Sequence, residues 1–149
     1  MRLTACALGL VALTVLAMNC WAGALDGIRA KVRIVPADAP ADKSDNGFDD
    51  TLSFADGKFS STAFLAKGFQ PAPYNGEREE HEAEFGVVQT NNVGDEIDWL
   101  GNIAGNHVGG RLHWMTKDGT KRVSYHFNGT KESDAGGPTN AAAVPAAHK

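Results

Sequence analysis

The sequence predicts an all-β protein: an antiparallel up-and-down meander of about eight strands that closes into a small barrel. Three observations carry this expectation. Turn signals recur at close spacing, at Asp56-Gly57, Asn92-Val93-Gly94, Gly105-Asn106 and Asp118-Gly119. Short segments of alternating apolar and polar residues lie between them. The registers that successive turns impose also agree on which side chains face inward. Asp-Gly and Gly-Asn loops start hairpins because their backbone twist matches that of the flanking strands.

Residues 1–24 read as an export signal and stand apart from the fold. Arg2 supplies the positive start, residues 3–18 are almost continuously apolar, and Ala22-Gly23-Ala24 offers small residues for cleavage after Ala24. The apolar stretch is short for a membrane span and polar sequence follows it, so no span is expected. A rival is lipid attachment through Cys20, but Met18 and Asn19 stand where that signal wants small residues. Ordinary cleavage is preferred, with a periplasmic or extracellular destination.

Cys6 and Cys20 both fall in this leader. The exported chain would therefore carry no disulfide, and its stability would rest on its apolar core. About 125 residues remain, enough for one domain. The barrel is assigned to residues 25–131 and a disordered tail to 132–149, which is Ala, Gly, Pro, Ser and Thr without a period. The formal net charge is −4, and loss of Arg2 makes it more negative. Nucleic acid and anionic membrane surfaces are therefore not expected partners.

Along residues 25–35, Ile28, Ala30, Val32 and Ile34 alternate with Arg29, Lys31 and Arg33, the pattern of a half-buried strand. Residues 36–50, rich in Pro, Asp and Ala, read as a connection. Residues 51–63 form a hairpin about Asp56-Gly57, with Phe54 opposite Phe59 and Leu52 opposite Ser61. Residues 62–78 have no period: Gly68, Pro71, Pro73 and Gly76 break it, yet Phe64, Leu65, Phe69 and Tyr74 are too apolar for a solvated loop. A short helix or an irregular strand covering one end of the barrel would account for them.

From His81 the meander is regular. The Gly105-Asn106 turn pairs Ile103 with Val108, Trp99 with Leu112 and Ile97 with Trp114. The Asp118-Gly119 turn pairs Leu112 with Tyr125 and Trp114 with Val123. Both turns place Leu112 and Trp114 on the apolar face, and a slip of one residue in either would expose them. A five-residue loop over 90–94 is expected to set Val87 opposite Ile97 and Phe85 opposite Trp99. Asn128-Gly129-Thr130 matches a glycosylation acceptor, relevant only in a eukaryotic source.

Several of these segments together resemble a known family. They are the strand opening Leu25-Asp26-Gly27, the hairpin from Thr51 to Phe59, Gly68-Phe69, Ala72-Pro73-Tyr74, and the closing meander from Trp99-Leu100-Gly101 to Tyr125-His126-Phe127-Asn128-Gly129. The chain resembles the small secreted lipocalin-like (calycin-type) barrels of bacteria, many without an assigned activity. The resemblance spans residues 25–131 and implies an up-and-down barrel of about eight strands.

Candidate chemistry is sparse. Glu80, Glu82 and Glu84 with His81 form an acidic run, best read as the solvated face of a strand. The registers align Asp98, His113 and Ser124 in an outward-facing row. Its position on a convex face, without a glycine elbow or an amide pocket for an oxyanion, argues against hydrolysis. His107, His113 and His126 lack a third fixed partner for a metal site. Residues 42–50 faintly echo a calcium loop, but Ser53 stands where the bidentate glutamate belongs. No catalytic residue, metal or cofactor is assigned.

Aromatic residues carry the remaining expectation. Phe54, Phe59, Phe85, Trp99, Trp114, Tyr125 and Phe127 all fall on the inward face, where large rings either fill a small barrel or wall a pocket at its mouth. A mostly filled core is preferred. The chain is accordingly read as a monomeric, non-enzymatic binding or accessory module. A small apolar or amphipathic ligand would sit at the open end near Phe64, Phe69 and Tyr74, with Trp99, Trp114 and Tyr125 as walls. The alternative is a protein-interaction module, such as an inhibitor of a secreted enzyme or an envelope assembly factor.

Overall fold

A computed structural model describes residues 23–39 and 46–132. Most of the leader, residues 40–45 of the acidic connection and the tail from 133 onward lie outside the described residues. Eight strands and one helical turn follow in order: β1 Arg29–Pro36, β2 Phe48–Ala55, β3 Lys58–Ser61, α1 Thr62–Leu65, β4 Ala72–Arg78, β5 Glu82–Thr90, β6 Glu96–Ala104, β7 His107–Met115 and β8 Arg122–Lys131. Each strand pairs antiparallel with the next, and β8 returns to β1 to close the barrel. Closure leaves no free sheet edge.

The turns act as their residues dictate. Asp56 and Gly57 both hold positive φ, at 53° and 71°, the requirement of a two-residue type I′ hairpin. Gly105 holds φ 58° while Asn106 does not share it, which suits a type II′ loop. Pairings from both hairpins and from the Asp118-Gly119 turn match the expected registers, including Phe54 with Phe59, Trp99 with Leu112 and Leu112 with Tyr125.

The β5–β6 register departs from expectation by two residues. Phe85 faces Gly101 and Val87 faces Trp99, because the loop spans 91–95 and Thr90 already pairs with Glu96. Asn91 sets this boundary: its Oδ1 accepts from the Val93 and Asp95 amides at 3.1 and 2.9 Å, and its own N–H donates to the Asp95 carbonyl at 3.1 Å. A shift of two leaves every side chain on its expected face.

Two boundaries also move. β2 starts at Phe48, inside the stretch read as a connection, since Phe48 opposes Ile34 and Asp49 meets the Arg33 guanidinium at 3.2 Å. Glu132, assigned to the tail, is tied to β1: its carboxylate meets Arg29 and Lys31, each at 3.1 Å. The unreadable stretch 62–78 holds both a helical turn and a strand, α1 and β4.

Inside, Phe54, Phe59, Phe85, Trp99 and Phe127 are all buried. Neighbouring rings among them meet with centroids 5.0 to 6.3 Å apart, mostly edge to face or tilted. Such pairs contribute about 0.5–1.5 kcal/mol each beyond their buried area. Glycines make room for them. One row across the sheet reads Gly76, Phe85, Gly101, Gly110, Phe127, so each ring leans over a residue with no side chain. A Cβ on Gly101 would lie 2.4 Å from Phe85 Cζ, and one on Gly110 would lie 2.2 Å from the Leu100 carbonyl oxygen.

Gly110→Ala must therefore push backbone apart in a filled core, and is expected to cost at least about 2 kcal/mol in urea unfolding. Gly86→Ala, where the nearest atom is 3.6 Å away on the flexible Leu100 side chain, should stay within about 0.5 kcal/mol.

Candidate functional site

The two ends of the barrel are closed by different chemistry. At the end where β1 begins, residues 23–28 fold under the strands. The Asp26 N–H donates to the Gly23 carbonyl at 2.9 Å, and Gly27, at φ 90°, donates to the Phe54 carbonyl at 2.8 Å. This turn carries Leu25 into the barrel, where it is fully buried. Tyr74 pins it: the hydroxyl accepts from the Leu25 N–H and donates to Asp26 Oδ1, both at 2.9 Å. Asp26 also accepts from the Gly57 N–H at 3.0 Å and the Gly23 N–H at 2.8 Å.

This net sets the ionisation of both groups. Desolvation pushes the Asp26 carboxyl up, but the donors from Gly57, Tyr74 and Gly23 outweigh it and hold the group below its ordinary range. Desolvation pushes the Tyr74 hydroxyl up; the Leu25 N–H opposes this and the Asp26 carboxylate reinforces it.

The opposite end is closed by α1 and the segment after it. Ser61 caps the turn, its Oγ accepting from the Phe64 N–H at 3.3 Å. Ser61 in turn donates to the buried Asp50 carboxylate, which also accepts from the Ala63 and Thr51 amides at 2.8 and 2.7 Å. Phe64 is thereby dropped into the barrel among Phe48, Phe69, Trp99 and Trp114, with ring centroids 5.5 to 6.0 Å away. Gln89, also fully buried, accepts from the Trp99 indole at 3.0 Å and donates to the Gln70 carbonyl at 2.9 Å. The core is thus stitched to the segment that covers it.

Around this floor stands a rim that is only partly buried: Phe48, Trp114, Val123 and Tyr125. Phe48 and Tyr125 meet edge to face at 6.3 Å. A small pocket opens here, lined by Trp114, Thr116, Lys121, Val123 and Tyr125. Lys67 places its ammonium 5.9 Å over the Trp114 ring, whose indole N–H reaches Asp95 Oδ2 at 3.4 Å. Desolvation, with the Asp38 charge adding to it, raises the Tyr125 hydroxyl above its ordinary value. The rim can hold a flat or apolar group against two aromatic faces, with a phenol and an ammonium for polar contacts.

The six residues expected to bind ligand therefore divide. Trp114 and Tyr125 stand on the rim. Phe64, Phe69 and Trp99 are buried beneath it and form its floor. Tyr74 lies at the other end, in the net around Asp26, and is not brought near Phe64 or Phe69. Phe48, Thr116, Lys121 and Val123 were not anticipated. For Phe48 a weak signal existed, since Phe48, Leu52 and Phe54 share one alternation that Asp50 interrupts.

The other candidates stay dispersed. His113 Nδ1 and Ser124 Oγ are 2.8 Å apart on the outer face, and Asp98 lies opposite His113 in register. Among the described residues, no hydrogen bond joins Asp98 to His113 and no three His, Cys, Asp or Glu side chains converge as a metal site. A wider depression lies outside the glycine row, bounded by Asn75, Glu77, Glu84, Leu100, Arg111 and His126. It is open to solvent, with charged side chains standing around a floor of glycines and Leu100. No family model, curated protein or solved structure matches the chain.

The net at the lower end makes a pH-dependent contribution. Because the folded Asp26 pKa lies below its unfolded value, its stabilisation is complete above about pH 5 and is lost as pH falls through the folded pKa. The gap in unfolding free energy between the native chain and Asp26→Asn should therefore narrow as pH is lowered below the ordinary carboxylate pKa of about 4. Tyr74→Phe, which orphans the Leu25 N–H, should cost about 1–2 kcal/mol at neutral pH in urea unfolding.

Proposed function

We propose that this chain is an exported, non-catalytic binding module of the lipocalin-like kind that uses its aromatic rim rather than its interior. The observation that carries this reading is the contrast between the two ends. The Leu25 end is fastened through Asp26 and Tyr74 by four hydrogen-bond donors, the Gly23, Leu25 and Gly57 amides and the Tyr74 hydroxyl. At the other end Phe48, Trp114 and Tyr125 keep part of their rings in solvent over a sealed floor. Rings left half-exposed around a concavity offer large contact area at low entropic cost. The filled interior leaves no room to engulf a ligand, so the guest is a small apolar or amphipathic group lying across the mouth.

The apolar leader, with Arg2 before it and small residues after it, supports export. Among the described residues no helix is long and apolar enough to cross a membrane. The shallowness of the rim also favours a second reading, in which the guest is a side chain protruding from a partner protein such as a secreted enzyme.

Titration with the fluorescent apolar probe 1-anilinonaphthalene-8-sulfonate, followed by probe emission and by tryptophan quenching, tests the first reading. Saturable binding is expected, weakened about tenfold or more by Tyr125→Ala or Phe48→Ala and unchanged by Tyr74→Phe. Binding that ignores the rim substitutions would contradict the reading. Absence of saturable binding by small apolar probes would leave the protein-partner reading, tested by recovery of a partner that Tyr125→Ala loses.

A further inference from the structure

The net around Asp26 lacks one component. Its carboxylate is held ionised by three donors, two of them backbone amides and one a phenol. Among the described residues no Lys, Arg or His lies within ion-pair distance of it. The nearest donor by distance is the Gly23 amide, 2.8 Å from Oδ2. That residue is closely fitted. Its α-carbon lies against Tyr74, so that a Cβ there would fall 1.8 Å from the hydroxyl oxygen, and its carbonyl accepts the Asp26 N–H. Cleavage after Ala24 would delete Gly23 and remove both the donor to Asp26 Oδ2 and the acceptor for the Asp26 amide. Cleavage two residues earlier, after Ala22, keeps both. Cys20 and Ala22 are small residues with the spacing a leader-removing protease reads.

We propose that the leader is cut between Ala22 and Gly23, and that the new α-ammonium of Gly23 forms an ion pair with Asp26 that completes the closure of the barrel. The proposal rests on the export reading above. In the cut, water adds across the peptide bond: the Ala22 carbonyl carbon gains a C–O bond as its bond to the Gly23 nitrogen breaks. The leader departs as a carboxylate, and the freed amine takes a proton to become the ammonium. The amide donor 2.8 Å from the carboxylate then becomes a cationic one in a partly buried setting, and a hydrogen bond between two charged groups is stronger than one from a neutral amide. Removal of the leader would thus tighten the lower closure as well as release the chain.

The test uses the full 149-residue chain expressed in an exporting bacterium. Intact mass and N-terminal sequencing of the exported protein should show Gly23 as the first residue. Its α-amine is then modified with 2-pyridinecarboxaldehyde, which attacks terminal amines and spares lysine. Native protein should react at least about fivefold more slowly than the free peptide Gly-Ala-Leu-Asp-Gly, and Asp26→Asn should restore most of the difference. The comparison with the peptide decides the matter even where the variant does not fold. A chain beginning at Leu25 would overturn this inference and leave export standing. An uncut chain would overturn both. A Gly23 terminus that reacts as fast as the peptide would overturn the ion pair.

Discussion

Everything in this barrel follows from the need to pack large rings into a closed interior of eight strands. A barrel of that size is only just wide enough to be filled by its own side chains. Here the filling is aromatic, with Phe54, Phe59, Phe85, Trp99 and Phe127 in mutual contact. Rings of this volume cannot occupy every inward position of a pleated sheet. Gly76, Gly101 and Gly110 take the positions between them, and the strands coil closely there. Residues 25–131 hold no cysteine, so this fit of ring against glycine holds the barrel without disulfides.

The polar groups inside serve the same end. Asp50 and Ser61 lock α1 so that Phe64 points down into the barrel. Gln89 fastens the next segment to the Trp99 indole. Asp26 and Tyr74 fasten Leu25 at the far end. Every buried side-chain nitrogen or oxygen among the described residues has a partner. That is the condition under which buried polar groups specify one arrangement instead of loosening it. The interior is thus given over to packing, which is why the proposed binding function is placed at the rim.

The strands and most registers were legible because the signals that encode them are local. Asp56-Gly57 and Gly105-Asn106 each fix a hairpin by backbone conformation alone, and alternation then carries the register along Trp99, Leu112 and Tyr125. The β5–β6 register was not legible, because Asn91 closes its loop through side-chain contacts that composition does not announce. The start of β2 was hidden for a similar reason: Asp50 is an inward carboxylate that looks like a loop residue until α1 is there to receive it. Residues 62–78 could not be read as helix or strand because they are both, joined through Gly68 at φ 86°. The rim was half legible. Trp114 and Tyr125 follow from register, whereas the separation of Tyr74 from Phe64 depends on which end each strand reaches, a property of the closed barrel rather than of any one hairpin.

The central claim is that the barrel encloses no vacant space, and xenon tests it most directly. A crystal held under xenon pressure should show no xenon among Phe54, Phe59, Trp99 and Phe127 in the native chain. Phe59→Ala should open a dry apolar cavity that does take up the gas. Xenon bound inside the native barrel would contradict the account and return the interior to consideration as the binding site.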